Sequence, residues 1–388
     1  MSDSIRSVLE SLVSVEALVP EAELENWRVR AGKDGLPSAV VVPSSDDEMA
    51  QVLGRASQEG WNVLPAGMGS WLEGGGPSDA DLVISTRRMR DVHEYEPADL
   101  TFTAGSGLSL QELRGITGGN GQWLPLDPPG GFSGSLGAAV ATGIRGSLGH
   151  LYGTARDHVL GLVMVSGDGR ILRWGGKVVK NVAGFDLTKL TIGSWGSLGV
   201  VTSVSARLFP IPEADVTLVL RGANLPTLLP SARAMALSSL PLAAVELVDP
   251  LPDDALASLD RGKSIPSGAL VLRLLGSAAQ VVAMEARIRA ELSKSEGVLE
   301  KLEGQGSGVF HQTLNRWEEG LGLVARLSLL PSELESLLTE AEELRLLASA
   351  HSGSSASVGG DPPIRLSAHV GTGVLRVAVP RVPANAED

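Results

Sequence analysis

Three glycine-dense stretches in the first half of the chain constrain its fold more than any other feature. They read "PAGMGSWLEGGGP" (65–77), "LDPPGGFSGSLGAAVATGIRGSLGHLYGTARDHVLGL" (126–162) and "GKVVKNVAGFDLTKLTIGSWGSLGVVT" (176–202). Glycine lacks a Cβ, so main-chain N–H groups there can come close to another backbone or to a flat ligand. The first stretch follows the strand-like "WNVLPAG" (61–67). Gly67 and Gly69 let successive amides converge as an anion-binding nest, and Ser70 adds a hydroxyl donor. A pyrophosphate is the natural guest; a plain glycine-rich surface turn is the alternative. In the second stretch, "GSLGAAVATG" (134–143) reads as a tightly packed helical turn whose small side chains let a ligand lie against the backbone. In the third, a glycine turn runs into a buried strand, where Gly199 and Val200 can offer N–H and C=O to a purine edge.

These are not the commoner phosphate loops. Gly67–Met68–Gly69 lacks the third glycine of the dinucleotide fingerprint, and Gly176–Lys177 is followed by Val178 where a Walker A loop needs Ser or Thr. The net charge of −13 argues against a nucleic-acid binder, which needs a basic face. The chain has no cysteine, which excludes disulfides, thiolate catalysis and cysteine-ligated metal clusters. Its six histidines (93, 150, 158, 311, 351, 369) show no compact ligand spacing, so no metal site is expected. The N-terminus lacks the basic and continuous apolar regions of a signal peptide, and no apolar run approaches the roughly 18–20 residues that cross a bilayer. A cytoplasmic protein is expected, with any peripheral membrane contact made through partners.

At 388 residues the chain suits two domains. Strands are expected at 38–45, 61–67, 82–85, 92–96, 99–104 and 122–126. "SDDE" (45–48) and "SLQE" (109–112) read as capping boxes opening helices. "VLGLVMVSGDGRILRW" (159–174) reads as a hairpin turning at 167–169. Arg156 and Asp157, side by side, suggest an ion pair that orders their loop. The two prolines of "FPIPEADV" (209–216) mark a domain boundary near 212. Beyond it, strands are expected near 242–248, 268–275, 321–329, 364–370 and 373–379, with helices near 277–293 and 332–345. "HSGSSASVGGDPP" (351–363) has a linker-like composition.

The order of these motifs resembles the FAD-binding domain of the family named after para-cresol methylhydroxylase and vanillyl-alcohol oxidase. The resemblance rests on a glycine loop after an early strand, the "DP…GSLGA…TG…YGTARDHVLGL" block and "VVKNVAGFDLTKL…GSWGSLGVVT", and it covers about residues 38–210. Within that family, the run through Lys177, Gly184, Phe185, Asp186 and Leu187 is most similar to the E subunits of bacterial glycolate oxidases. The D subunits and the D-lactate dehydrogenases look somewhat less similar. The resemblance implies an α+β chain: a two-subdomain FAD-binding domain of the PCMH type over 1–212, and a smaller ferredoxin-like α+β domain over 213–388. The second domain would serve as a cap, a substrate domain or a subunit interface.

The resemblance further implies that Pro65, Ala66, Gly67, Met68, Gly69 and Ser70 hold the FAD pyrophosphate. Asp127, Pro128, Gly134, Ser135, Gly137, Thr142 and Gly143 would line its middle, and Gly199 and Val200 would meet the adenine or ribose. Met68 stands where covalently flavinylated relatives have histidine, and no cysteine exists, so the FAD is expected to be noncovalent. Trp195 departs from the "GSEGTLG" pattern common in relatives, replacing an acid with a large apolar face. It could fill the core or meet a partner.

Oxidising a 2-hydroxy acid with a flavin needs a cation for the carboxylate and a base for the hydroxyl proton. Arg326, in the apolar "ARLSLLPS" (325–332), is the carboxylate candidate; an internal ion pair is the alternative. His369, in "SAHVGTGVLRV" (367–377), keeps one histidine and Gly371 of a "GHxGDGNxH"-like metal motif but lacks its aspartate and second histidine. Lys177 and Lys180 are candidates to neutralise a reduced flavin or pyrophosphate, or else solvated lysines. The eroded motif points to an FAD-binding subunit working beside a D-type flavoprotein subunit and an iron–sulfur subunit. A stand-alone 2-hydroxy-acid dehydrogenase using Arg326 and His369 is the second reading, and a scaffold that has lost flavin the third.

Overall fold

The computed structural model describes residues 4–28, 36–72, 79–176, 185–222, 224–259, 268–319, 321–351 and 364–380. Lys177, Lys180, Gly184, the glycine run 73–77 and nearly all of the 351–363 loop lie outside these described residues. The chain forms two compact units. The first comprises residues 1–128, 132–145 and 154–211, and the second 129–131, 146–153 and 212–388. Two short excursions, 129–131 and 146–153, therefore belong with the C-terminal part although they fall within the second glycine-dense stretch.

The first unit has two sheets. A parallel three-stranded sheet joins β1 (Ala39–Val41), β2 (Val63–Ala66) and β3 (Leu82–Ser85), with β3 central. Between β1 and β2 runs α1 (Asp46–Glu59). Ser45 caps it by accepting from the Glu48 N–H at 3.2 Å, three acids fill its first turn, and Gly60 (φ 71°) ends it in the left-handed conformation. Met49, Val52, Leu53 and Ala56 form its buried stripe, packed with Val41, Leu82 and Ile84. The expected reciprocal box at 45–48 is one-sided, because the Glu48 carboxylate accepts from Ser44 N–H at 2.7 Å instead. At Ser109–Glu112 the box is complete and opens α2 (Leu110–Gly118).

The second sheet is antiparallel and five-stranded. It contains β4 (Val92–Glu96), β5 (Thr101–Gly105), β6 (Val159–Ser166), β7 (Ile171–Gly175) and β8 (Gly199–Arg207), in the order β4-β5-β8-β6-β7. The β6–β7 hairpin turns where the sequence places it, with Gly169 at φ 83°. Two short helices, α3 (Leu136–Thr142) and α4 (Leu187–Thr191), complete the layer; Leu136 and Val140 of α3 pack with Phe102 and Val204. The strand expected at 122–126 is only Gln122–Trp123, paired to Phe209–Pro210.

Arg156 and Asp157 do not pair with each other. Adjacent residues on a helix point about 100° apart. The Asp157 carboxylate accepts from the Thr154 N–H (2.7 Å) and hydroxyl (3.0 Å), while Arg156 donates to the Lys189 carbonyl at 2.8 Å.

The second unit begins with a β-α-β-β-α-β run: β9 (Ala214–Gly222), α5 (Leu225–Ala236), β10 (Leu242–Asp249), β11 (Gly268–Gly276), α6 (Ala278–Leu292) and β12 (Val298–Glu303). Its antiparallel order β12-β9-β11-β10 is ferredoxin-like. After α7 (Gln305–Asn315), the strands β13 (Leu321–Ser328), β14 (Arg365–His369) and β15 (Val374–Pro380) extend the sheet beyond β10 in the order β14-β15-β13. A last helix, α8 (Leu334–His351), separates β13 from β14. Alternation along the strands makes two buried faces. Leu218, Leu247, Leu272 and Leu366 pack with α5, α6 and α8, whereas Val219, Val248 and Val271 pack with Phe310 and Leu314 of α7.

The sequence reading misses β9, α5, β12 and α7. In α5, Pro226 lies in the first turn, where a missing N–H is not felt, and Pro230 is tolerated inside because five apolar residues are buried around it. In α7, three glycines among the five positions from Gly304 to Gly308 hide the helical period until Phe310 and Leu314 meet the sheet.

Candidate functional site

A cavity of about 420 Å³ opens within the first unit, and the three glycine stretches line it together. Of the residues singled out from the sequence, Pro65, Ala66, Gly67, Met68, Gly69, Ser70, Gly137, Thr142, Gly199 and Val200 are on its walls. Asp127, Pro128, Gly134, Ser135 and Gly143 are not.

The first wall is the end of β2. The parallel ladder holds to Ala66, whose carbonyl accepts from Thr86 N–H at 3.0 Å, and Ser85 Oγ donates to the Gly67 carbonyl at 2.6 Å. The ladder then stops. Among the described residues, none accepts a hydrogen bond from the main-chain N–H of Gly67, Met68, Gly69 or Ser70. Met68 and Ser70 are exposed and Gly67 and Gly69 half-buried, so these donors are open to water or to a ligand in the cavity. Gly69 sits at φ 87°, and a Cβ there would lie 3.3 Å from the buried Trp27 ring.

The second wall is α3. Ser135 is its N-cap, accepting from Ala138 N–H at 3.2 Å, and it is tucked under Gly67, where any Cβ would overlap its hydroxyl. Ser135 thus shapes the loop from behind. The Gly137 amide is already engaged, donating to the Ser106 carbonyl at 2.7 Å, and a Cβ there would lie 2.5 Å from the Ser106 Cβ. Gly143 is the left-handed C-cap (φ 62°). Ala138 and Ala141, which the sequence reading did not single out, present only methyl groups to the cavity.

The third wall is the turn into β8. Gly199 N–H donates to the Gly196 carbonyl at 3.3 Å, and at φ 147° its Cα lies where a side chain would collide with the Val165 carbonyl. The expectation that Gly199 offers its N–H to a ligand is therefore corrected: that donor, like the one of Gly137, serves the protein, and these glycines give the cavity room. The donors of the 67–70 loop, by contrast, meet no acceptor among the described residues.

Trp195 neither fills the core nor lies away from the site. It lines the cavity, 46% exposed, at φ 56°, with its N–H donating to the Ala141 carbonyl at 2.9 Å. Its ring centroid is 6.1 Å from that of Trp71, with the planes 52° apart. The lining, as described, includes no ionisable side chain. An anion here would be met by main-chain dipoles, and no general base is among the described lining residues.

Arg326 and His369 lie in the second unit. Arg326, on β13, pairs with Glu318 at 3.6 Å, and Glu318 also meets Arg376 at 3.3 Å. His369 is buried, its Nδ1 3.7 Å from the Glu246 carboxylate. Arg376 also approaches Glu246 at 3.8 Å, donates to Ser367 Oγ at 2.6 Å and covers the Trp317 ring. Burial pushes the Glu246 carboxyl above its ordinary range, against the pull of Arg376. Gly371 survives from the eroded motif for a packing reason: a Cβ there would overlap the His150 imidazole. A second network joins Arg273 to Asp215 (2.6 Å), Ser307, Thr217 and His311. The sequence reading overlooked Glu246, Arg273 and Arg376, although Arg273 and Arg376 are lone charges in apolar strands and Glu246 sits mid-strand among apolar residues. Among the described residues, no group of three or more His, Asp or Glu is placed to hold a metal ion.

Comparison with known proteins bears on this geometry. Residues 37–175 match the family described as FAD binding domain. The cofactor of the first unit is FAD. The glycolate oxidase subunit GlcD of Bacillus subtilis is 35% identical over 185 residues, covering 47% of this chain and 39% of that protein. The glycolate oxidase subunit GlcE of Escherichia coli is 40% identical over 136 residues, 35% of this chain and 39% of its own length. A probable mitochondrial D-lactate dehydrogenase of Danio rerio is 32% identical over 217 residues, 55% of this chain and 43% of that one. The chain thus spans about two fifths of the length of these curated relatives, and D-type, E-type and lactate-dehydrogenase relatives all match.

Among solved structures, alkyldihydroxyacetonephosphate synthase superposes with a TM-score of 0.74 at 16% identity, covering 97% of this chain and 76% of that one. A 4-ethylphenol oxidase from Gulosibacter chungangensis gives 0.73 at 14%, covering 97% and 82%. At such identities these establish the fold, a PCMH-type FAD-binding architecture with its α+β companion. The walls fit the cofactor: free amides at 67–70 suit a pyrophosphate, and the glycine, alanine and tryptophan surfaces suit flat rings.

Proposed function

We propose that this chain is the FAD-binding subunit of a glycolate oxidase-type, 2-hydroxy-acid-oxidising assembly. It would work beside a D-type flavoprotein subunit and an iron–sulfur subunit, with substrate oxidation chiefly on the D-type subunit. The observation that carries the reading is the pairing of free donors at 67–70 with a lining that holds no acid or base. Bound FAD supplies a hydride acceptor for converting a 2-hydroxy acid to a 2-oxo acid. The chain's own contribution is binding: amides 67–70 hold the pyrophosphate noncovalently, Ala138 and Ala141 admit the cofactor's flank, and Gly199 and Val200 border its adenosine end. Asp127, Pro128, Gly134, Ser135 and Gly143 would act from behind the walls. The engagement of Arg326 and His369 with Glu318 and Glu246 favours a structural role for both. The second unit, ferredoxin-like, serves as cap or subunit interface. Among the described residues no helix is long and apolar enough to cross a membrane, and we place the assembly in the cytoplasm, with membrane contact through partners.

The second reading, a stand-alone dehydrogenase using Arg326 and His369, draws support from the D-lactate dehydrogenase relatives. Spectroscopy separates the two. The purified chain should show a flavin band and keep it on anaerobic addition of glycolate or D-lactate; rapid bleaching by the chain alone transfers the chemistry to it. Loss of flavin binding altogether favours a scaffold. Co-purification with untagged neighbours tests the assembly directly.

A further inference from the structure

Trp195 is the feature of the cavity that FAD binding in general does not explain. A tryptophan at φ 56° is held in a conformation that costs a side-chain-bearing residue free energy, and such strain gathers at ligand sites. Its backbone is fixed there by its own N–H to Ala141 and by a following turn through Gly196. Although aromatics make up only 4% of the chain, three of its seven tryptophans surround one short loop: Trp27 beneath Gly69, Trp71 directly after Ser70, and Trp195 opposite.

Trp27 is buried, but Trp71 and Trp195 face the cavity. Their centroids are 6.1 Å apart. A third ring cannot slide between them, because two stacking contacts need about 7 Å. The tilt of 52° makes Trp71 a prop against Trp195, leaving the half-exposed face of Trp195 as a platform.

We propose that Trp195, propped by Trp71, is the platform on which the adenine ring of FAD stacks, so that this chain recognises the nucleotide end by an aromatic face. The inference rests on the FAD reading above and deepens it. Position in the chain selects the adenine. Trp71 follows Ser70, whose amide belongs to the pyrophosphate nest, so the aromatic wall starts one residue from the phosphates. In FAD a single ribose separates adenine from pyrophosphate, whereas the isoalloxazine is set off by a five-carbon ribityl chain. Gly199 and Val200 line the same cavity, where the missing Gly199 side chain leaves room for a flat ring.

The test uses the full chain freed of flavin, titrated with FAD and, in competition, with ADP and FMN. Asparagine tolerates the left-handed backbone, so Trp195→Asn removes the ring without adding strain. It should weaken FAD and ADP about tenfold, the effect of losing one base–aromatic stack, and leave FMN unchanged. Trp195→Phe should recover most of the loss, and Trp71→Leu should give a smaller weakening. In the unaltered protein, ADP alone should quench tryptophan emission, a readout that needs no variant. Unchanged FAD affinity in Trp195→Asn, failure of ADP to compete or quench, or a loss confined to FMN would each overturn the proposal. Failure of the unaltered chain to bind FAD would instead sink the cofactor reading itself.

Discussion

The cavity of the first unit and the central sheet of the second handle polar groups in opposite ways. In the first unit, the described cavity lining has no ionisable side chain, yet four successive residues of its wall have main-chain donors that meet no acceptor among the described residues. In the second, Glu246, Arg376, Arg273 and Asp215 are drawn into a sheet, with Glu318 beside it, and each is set against an opposite charge. Main-chain donors left open at a cavity wall are available to a ligand, whereas paired buried charges mainly hold a geometry. The first pattern is that of a binding site, the second that of a framework.

The largest expected effect strikes the framework. Arg376→Met leaves Glu246 buried without its guanidinium neighbour and should cost about 3–5 kcal/mol in urea unfolding; adding Glu246→Gln should return much of it. A loss below about 1 kcal/mol would erase the contrast between the units.

Next comes a titration in the first unit, away from the cavity lining. His158 is 1% exposed and edge-on to Phe209, and burial, with Arg207 adding to it and Asp157 opposing, lowers its pKa from 6.5 to about 4. The unfolded chain binds this proton more readily, so the contribution is complete above pH 6.5 and is lost as pH falls toward 4, by up to about 3 kcal/mol. His158→Leu should flatten that part of the pH–stability curve; an unaltered slope would place the acid sensitivity elsewhere.

Of similar size is the cofactor's own contribution. FAD at about a hundred times its dissociation constant should stabilise the chain by roughly 2.7 kcal/mol. Gly69→Val, which forces a branched side chain into φ 87° and against Trp27, should abolish that shift. Persistence of the shift would remove the nest from the site. Smallest of all, Arg326→Ala breaks a partly exposed pair with Glu318 and should cost under about 1 kcal/mol, with flavin content unchanged. A large loss of substrate oxidation in the reconstituted assembly would instead make Arg326 a carboxylate anchor.

Much of this was legible in the residues because local chemistry carries it. The α1 and α2 caps, the β6–β7 hairpin and the 67–70 turn depend on neighbours in sequence, and each lies close to where the pattern puts it. The helix α5 did not show, since its two prolines speak against a helix until five buried apolar residues outweigh them. The cavity residues Ala138, Ala141 and Trp71 carry no signature of their own.

By itself, then, the sequence placed a glycine turn with main-chain donors after β2 and pointed to an FAD-like ligand for the three glycine stretches. Only the tertiary structure decided which amides remained available. Whether a glycine frees a donor or merely clears space depends on what packs behind it. Ser106 takes the Gly137 N–H, Gly196 takes that of Gly199, and no described residue reaches those of 67–70.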